Sequence, residues 1–320
     1  MPLVGFGIWK VPASGAADAV YNAIKTGYRL IDGAYDYMNS QEAGRGVRAA
    51  IADGLVRRDE LFVTTKLWNN YHRAEHVVEQ ARAEQEAWDV GYLDAFLVHF
   101  PISLRYISPG EIQYPCWWKD AARTVLNEMD PVPMSETWGA MESLVLQDGK
   151  EEVPGENRFV RSIGVSNFHT QLLYDLLSYA RIRPAMLQIE HHPYLTSENL
   201  IAMAQENGLA VTAYSTFGPA SFVELDHPLA KKAVPLLEHP VVARIAERHT
   251  RTPAQILLRW CTQRGIAVIP KSNHPERATQ NLDCCGFDLE EAEMTAISAL
   301  NAGLRFNDPG SLAKPLRIWV

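Results

Sequence analysis

The chain has 320 residues, 47% of them hydrophobic and 21% charged, with a net charge of −8. That balance supports a large buried core and excludes a disordered chain. The negative charge argues against a broad nucleic-acid surface, while leaving room for a local basic pocket.

In chain order, strands are predicted at 4–8, 28–34, 61–67 and 93–100, then at 160–166, 185–190, 209–214 and 266–271. The runs are nearly continuous in apolar residues, the pattern of parallel strands buried on both faces. Amphipathic stretches separate them. In 74–88, Val77, Val78, Ala81 and Trp88 fall near one helical face. In 241–263, Pro253 sits at a first-turn position behind Thr252, a residue suited to cap a helix. Eight such units predict an α/β fold, a (β/α)8 TIM barrel spanning 1–320 as one domain. Two long connections, 101–134 and 216–239, follow strand ends and are expected to hang over the C-terminal face. A polar insertion at 147–159 precedes a strand and is expected on the opposite face.

Asp32, Lys66 and His99 close the runs GYRLID, LFVTTK and LDAFLVH, and Tyr37 lies just beyond the first. Strand ends of a parallel barrel meet at one mouth, so the four are expected to share a pocket. A tyrosine there can protonate a carbonyl oxygen, although its ordinary pKa of about 10 is high for that task. A neighbouring ammonium lowers it, and a carboxylate holds the ammonium in place. Alone, each residue has an ordinary reading as a cap, a rim lysine or a core-edge histidine; four at strand ends do not.

DGAYDYMN (32–39), TKLWNN (65–70), LVHFP (97–101), SIGVSNF (162–168), QIEHHPYL (188–195), TAYSTFGP (212–219) and IPKSN (269–273) together resemble the ordered signature blocks of the aldo-keto reductases. LRFNDP (304–309) and SFVEL (221–225) narrow the resemblance to the fungal D-xylose reductases and the related L-arabinose reductases. The resemblance implies Tyr37 as proton donor, tuned by Lys66 and Asp32, with His99 orienting the substrate. It implies NADPH across the mouth, with Ser166, Asn167 and Gln188 on the nicotinamide amide, Tyr214 stacked on the ring, and Ser215 and Phe217 in the same block. For the sugar pocket it implies Trp9, Asp36, Phe100 and Asn307, with Trp68 as a wall.

Lys271 and Arg277 flank a predicted helix start, an arrangement suited to the 2′-phosphate of NADPH. Ser272, Asn273, Gln280 and Asn281 are expected to complete the adenosine end. Glu224 matches a glutamate that, in dual-cofactor relatives, accepts from the ribose hydroxyls of NADH, so NADH is expected as a second cofactor.

Two patterns point elsewhere and are discounted. GRGVRA (44–49) reads as a dinucleotide fingerprint but lies inside a helical stretch. His191 and His192 are adjacent and lack a third ligand, so no metal site is expected. The chain departs from the family where Asn39-Ser40 replaces the usual Asn-Glu and where His274 adjoins the phosphate site. It also begins almost directly on strand one, without the hairpin that covers the barrel floor in relatives, so apolar residues are expected to stand exposed there.

The cysteines Cys116, Cys261, Cys284 and Cys285 show neither metal-type nor secreted disulfide spacing. MPLVGFGIWK lacks a secretion signal, and no run approaches the roughly 18 apolar residues of a membrane span. A soluble cytoplasmic reductase of a small aldose or aldehyde is expected, with no nucleic-acid or membrane partner; monomer and homodimer both stay open. D-Xylose reduction leads, with L-arabinose reduction, broad carbonyl reduction and a non-catalytic NADPH-binding subunit as alternatives.

Overall fold

The computed structural model describes residues 1–109, 111, 116–120, 122–146, 158–313 and 316–319. Its eight strands are β1 (Phe6–Gly7), β2 (Leu30–Asp32), β3 (Phe62–Leu67), β4 (Leu93–Val98), β5 (Val160–Ser166), β6 (Met186–Glu190), β7 (Ala210–Tyr214) and β8 (Ala267–Val268). They pair in sequence order, every pair parallel. Backbone bonds Gly5 N→Val268 O and Val268 N→Leu3 O, both 2.8 Å, close the sheet on itself. The result is a (β/α)8 barrel.

Side chains alternate across the barrel wall. Ala95, Leu97 and Met186 cluster together with Phe62, while Ile31, Val63, Phe96, Val98 and Leu187 belong to the main core. Phe62 opens β3 at the barrel floor and stays only partly buried.

β5 and the helix Ala74–Trp88 have their predicted bounds. β1 and β8 are shorter than predicted, although Gly7 N at the end of β1 still reaches Pro270 O, past the end of β8, at 3.4 Å. Past β4, His99 N donates to Leu67 O at 3.0 Å, so the ladder still fixes His99. The predicted segment 241–263 is two helices, Pro240–His249 and Pro253–Thr262, because Thr250 turns left-handed at φ 52°. Thr252 caps the second, reciprocally with Gln255, and Pro253 takes its first position. The connection 216–239 folds into the short helices Ala220–Val223 and Pro228–Lys232. Apart from 158 and 159, the insertion 147–159 lies outside the described residues.

GRGVRA lies inside the helix Ser40–Ala52, and helix packing explains its glycines. A Cβ on Gly44 would stand 2.1 Å from the Trp88 carbonyl oxygen, and one on Gly46 2.3 Å from that of Ala17. The two residues let this helix approach the helices Ala13–Thr26 and Ala74–Trp88.

Candidate active site

Three strand ends and one turn supply the centre. Lys66 has no exposed surface, and its Nζ donates to Asp32 Oδ1 and to Gly33 O, each at 2.7 Å. The same Nζ lies 3.4 Å from the Tyr37 hydroxyl, which the short turn Tyr35–Tyr37 brings over the end of β2. Burial pushes the Lys66 ammonium below its usual range, against the pull of Asp32 and Glu84. The His99 ring stands edge-on to Tyr37, centroids 5.9 Å apart. Burial, and then the charge of Lys66, hold His99 well below the usual imidazole value. His99 is therefore neutral near pH 7, with one ring N–H to donate.

A cleft opens above these groups. Asp32, Tyr37 and His99 line it, with Trp9, Asp36, Phe100 and Asn307 from the predicted sugar pocket and Gln188, Tyr214, Ser215, Phe217, Glu224 and Lys271 from the predicted cofactor set. Trp68 does not reach it. Fully buried, Trp68 backs His99, Phe100 and Trp117 with edge contacts at 5.2, 6.1 and 4.9 Å. Asp36 accepts from Cys116 N at 3.1 Å, and burial pushes its carboxyl up to about 6 despite that bond.

The residues expected to hold the nicotinamide are bonded inward. Gln188 Nε2 donates to Asp32 Oδ2 at 2.7 Å, and Ser166 Oγ donates to Gln188 O at 2.9 Å. Asn167, left-handed at φ 63°, donates to His99 O at 2.9 Å; asparagine is among the residues that tolerate that conformation. The Tyr214 hydroxyl donates to Asn167 Oδ1 at 2.6 Å and accepts from Asn307 Nδ2 at 2.8 Å. A chain of bonds thus runs from the tail at Asn307 to the backbone of His99.

Residues 3–302 match the Aldo/keto reductase family. The chain belongs to that family. It is 56% identical to an NAD(P)H-dependent pentose reductase of Pyricularia oryzae, over all of this chain and 96% of that one. Over 97% of this chain and 93% of the relative, it is also 56% identical to an NAD(P)H-dependent D-xylose reductase of Aspergillus niger. A crystal structure of a Bombyx mori aldo-keto reductase in complex with NADP superposes with a TM-score of 0.82 at 35% identity, covering 97% of this chain and 92% of that one.

Most of the residues expected at the adenosine end stand apart from the cleft of this aldo-keto reductase. Ile269, Pro270 and Lys271 line it, while Ser272, Asn273, Arg277, Gln280 and Asn281 do not. Ser272 Oγ accepts from His274 N at 3.1 Å, just before the helix Pro275–Leu282. Asn273, Arg277 and Gln280 are exposed around that helix, and Asn281 is buried. Glu224 forms an ion pair with Lys10, which also stands over the Trp9 ring at 4.5 Å. That pair draws the Glu224 carboxyl below its usual value.

Sequence reasoning missed Lys10, Trp117 and Glu190. Lys10 follows Trp9 directly, and Trp117 lies in the aromatic run of a connection already expected over the mouth. Glu190 is fully buried and accepts from Phe306 N at 2.8 Å and Asn307 N at 2.9 Å, fixing the tail on β6. Burial pushes its carboxyl up, but His192, Arg305 and the Phe306 amide prevail and hold it below its usual value. His192 Nε2 lies 3.0 Å from Glu190 Oε1, and His191 stacks on Trp260 at 4.7 Å, so both histidines serve packing. Among the described residues, no group of three or more side chains is arranged to hold a metal.

Proposed function

We propose that the chain is an NAD(P)H-dependent aldose reductase that converts a pentose to its polyol, D-xylose to xylitol first among them. The observation that carries this reading is the buried Asp32–Lys66 pair, with Lys66 Nζ 3.4 Å from the Tyr37 hydroxyl at the foot of the cleft. The names of the relatives support the substrate class.

Side chains around the cleft fit the cofactor. Lys271 and Lys10 offer cations, the Tyr214 ring lies along the wall with its hydroxyl tied at both sides, and Gln188 is at hand for an amide. In this reading Gln188, Ser166, Asn167, Tyr214, Ser215 and Phe217 hold the nicotinamide end. Lys271, Ser272, Asn273, Arg277, Gln280 and Asn281 hold the adenosine end. When bound, the nicotinamide supplies a hydride to the carbonyl carbon of the open-chain sugar. Tyr37 gives its hydroxyl proton to the carbonyl oxygen, so that oxygen leaves as an alcohol. Lys66, held by Asp32, stabilises the resulting phenolate. Neutral His99 donates to the carbonyl and aims it. Trp9, Phe100 and Trp117 give apolar walls, while Asp36 and Asn307 meet sugar hydroxyls.

Action in the cytoplasm, in carbohydrate metabolism and as one domain belongs to the same proposal; four free thiols suit a reducing compartment. The test follows NADPH oxidation at 340 nm (the nicotinamide absorbance) with D-xylose, L-arabinose and a simple aromatic aldehyde. Preference for D-xylose is expected. Turnover of the aldehyde alone would leave a general carbonyl reductase, and no turnover of any would leave a cofactor-binding protein.

A further inference from the structure

Glu84 is a buried ionisable group that the mechanism above does not use. It lies on the helix Ala74–Trp88, 3% exposed, on the outer side of β3. Thr65 and Ser40 both donate to Glu84 Oε2, Ser40 at 3.0 Å. Thr65 and Lys66 are successive residues of one strand, so one side chain faces the helices and the other the barrel interior. Glu84 is thus set behind the strand wall from Lys66, bonded to the residue next to it in β3.

The groups around Glu84 are Ser40 on the helix Ser40–Ala52, Thr65 on β3 with Lys66 on the far side of that strand, Tyr35 in the turn Tyr35–Tyr37, and Trp88 on its own helix. Asp32 joins the set through Lys66. Lys66 is the one cation among them, and burial works against its charge. A single carboxylate touches it, and that carboxylate is shared with Gln188. Ser40 is also the position at which the family resemblance leads one to expect a glutamate.

We propose that Glu84 is a positioning residue for the reaction: a second carboxylate, placed behind β3, that keeps Lys66 in its ammonium form and so sustains proton donation by Tyr37. The proposal rests on the aldose-reductase reading above. Burial pushes the Glu84 carboxyl up to about 7, against the hydrogen bonds from Thr65 and Ser40. Glu84 is therefore ionised above that pH and neutral well below it. Removing a nearby negative charge lowers the pKa of an ammonium and a phenol alike. The sign of the effect is the same whichever of Lys66 and Tyr37 loses its proton at the basic limb.

The experiment compares pH profiles of kcat/KM for the wild type, Glu84→Gln, Glu84→Ser and the double variant Ser40→Glu/Glu84→Ser. In Glu84→Gln the basic limb is expected to move to lower pH, on the order of one pH unit, with NADPH affinity unchanged. The Glu84→Ser limb is expected to fall likewise, and the double variant to return it by restoring the carboxylate from the other helix. A Glu84→Gln profile that superimposes on the wild type, with only a lower melting temperature, would overturn the proposal and leave Glu84 a structural residue. If the double variant does not fold, Glu84→Gln against the wild type still decides. An ultraviolet titration of tyrosinate, with Tyr37→Phe subtracted, reads the same displacement without turnover. Failure of the wild type to reduce any sugar would therefore count against the functional reading and not against the role of Glu84.

Discussion

Gln188 donates to Asp32 on the carboxylate oxygen that Lys66 leaves free: Oδ2 takes the amide and Oδ1 the ammonium, each at 2.7 Å. The residue expected to hold the nicotinamide is therefore bonded to the group that holds the lysine. Gln188→Leu should impair both functions. A buried hydrogen bond to a charged group contributes about 1.5–3 kcal/mol, so kcat should fall roughly tenfold to a hundredfold, with weaker NADPH binding beside it. Steady-state rates and a fluorescence titration of NADPH measure the two separately. A loss confined to binding would mean that Asp32 does not need its second partner.

Tyr37→Phe keeps the ring against His99 and removes the hydroxyl beside Lys66. NADPH binding should persist while sugar reduction falls by two to four orders of magnitude, about the contribution of a positioned general acid. Substantial remaining turnover would remove Tyr37 from the donor role.

The strands were legible because burial on both faces leaves a plain apolar signal, and the tetrad because strand ends converge in any closed parallel barrel. The links between them were not. Asp32 and Gln188 lie 156 positions apart on β2 and β6, and nothing local pairs them. Their bond depends on the side chains that cross the barrel interior. The same holds for Asn307, which looked like a sugar contact and also braces Tyr214. Glu190 was hidden differently: its partners are backbone amides of the tail, and an amide carries no residue type to read. Thr252 and Pro253 marked the start of the helix Pro253–Thr262, but the left-handed turn at Thr250 that ends the helix before it was not legible, because threonine is a poor sign of one.

Lys271→Ala should discriminate between the two cofactors. A cation beside the 2′-phosphate contributes to NADPH and has little to meet in NADH. A loss of about 1.5–3 kcal/mol corresponds to roughly tenfold to a hundredfold weaker NADPH binding. NADH binding should change far less, and Arg277→Ala should act in the same direction. Equal loss for both cofactors, measured by titration, would contradict a 2′-phosphate site.

In the proposed reading Asp36 links pH to sugar binding. Its carboxyl is pushed up to about 6, so as a sugar contact it would accept hydrogen bonds from hydroxyls above that pH and be protonated below it. The KM for D-xylose should rise as pH falls through about 6, and Asp36→Asn should remove that dependence. Stability runs the other way. A carboxyl whose pKa is raised by folding binds its proton more tightly in the native state. Its ionisation therefore costs stability, and the loss accumulates as pH rises from about 4 to about 6, reaching about 3 kcal/mol. Asp36→Asn should accordingly melt higher than the wild type at pH 8 and not at pH 4. Identical melting differences at the two values would show that the carboxyl titrates normally.

Gly44 separates packing from phosphate binding. In a helix interior, alanine is favoured over glycine by about 1 kcal/mol, so Gly44→Ala would stabilise the chain if space were free. A Cβ there would lie 2.1 Å from the Trp88 carbonyl oxygen, which Arg48 also holds at 2.8 Å. The obstacle is backbone, with no side-chain rotamer to move aside. Overpacking of that kind costs typically about 1–3 kcal/mol and occasionally more, and a contact this short belongs at the upper end, so the clash outweighs the propensity. Denaturant unfolding should show a net loss of about 2 kcal/mol, while NADPH affinity stays at the wild-type value. A dinucleotide loop would respond in reverse, with affinity lost and stability spared.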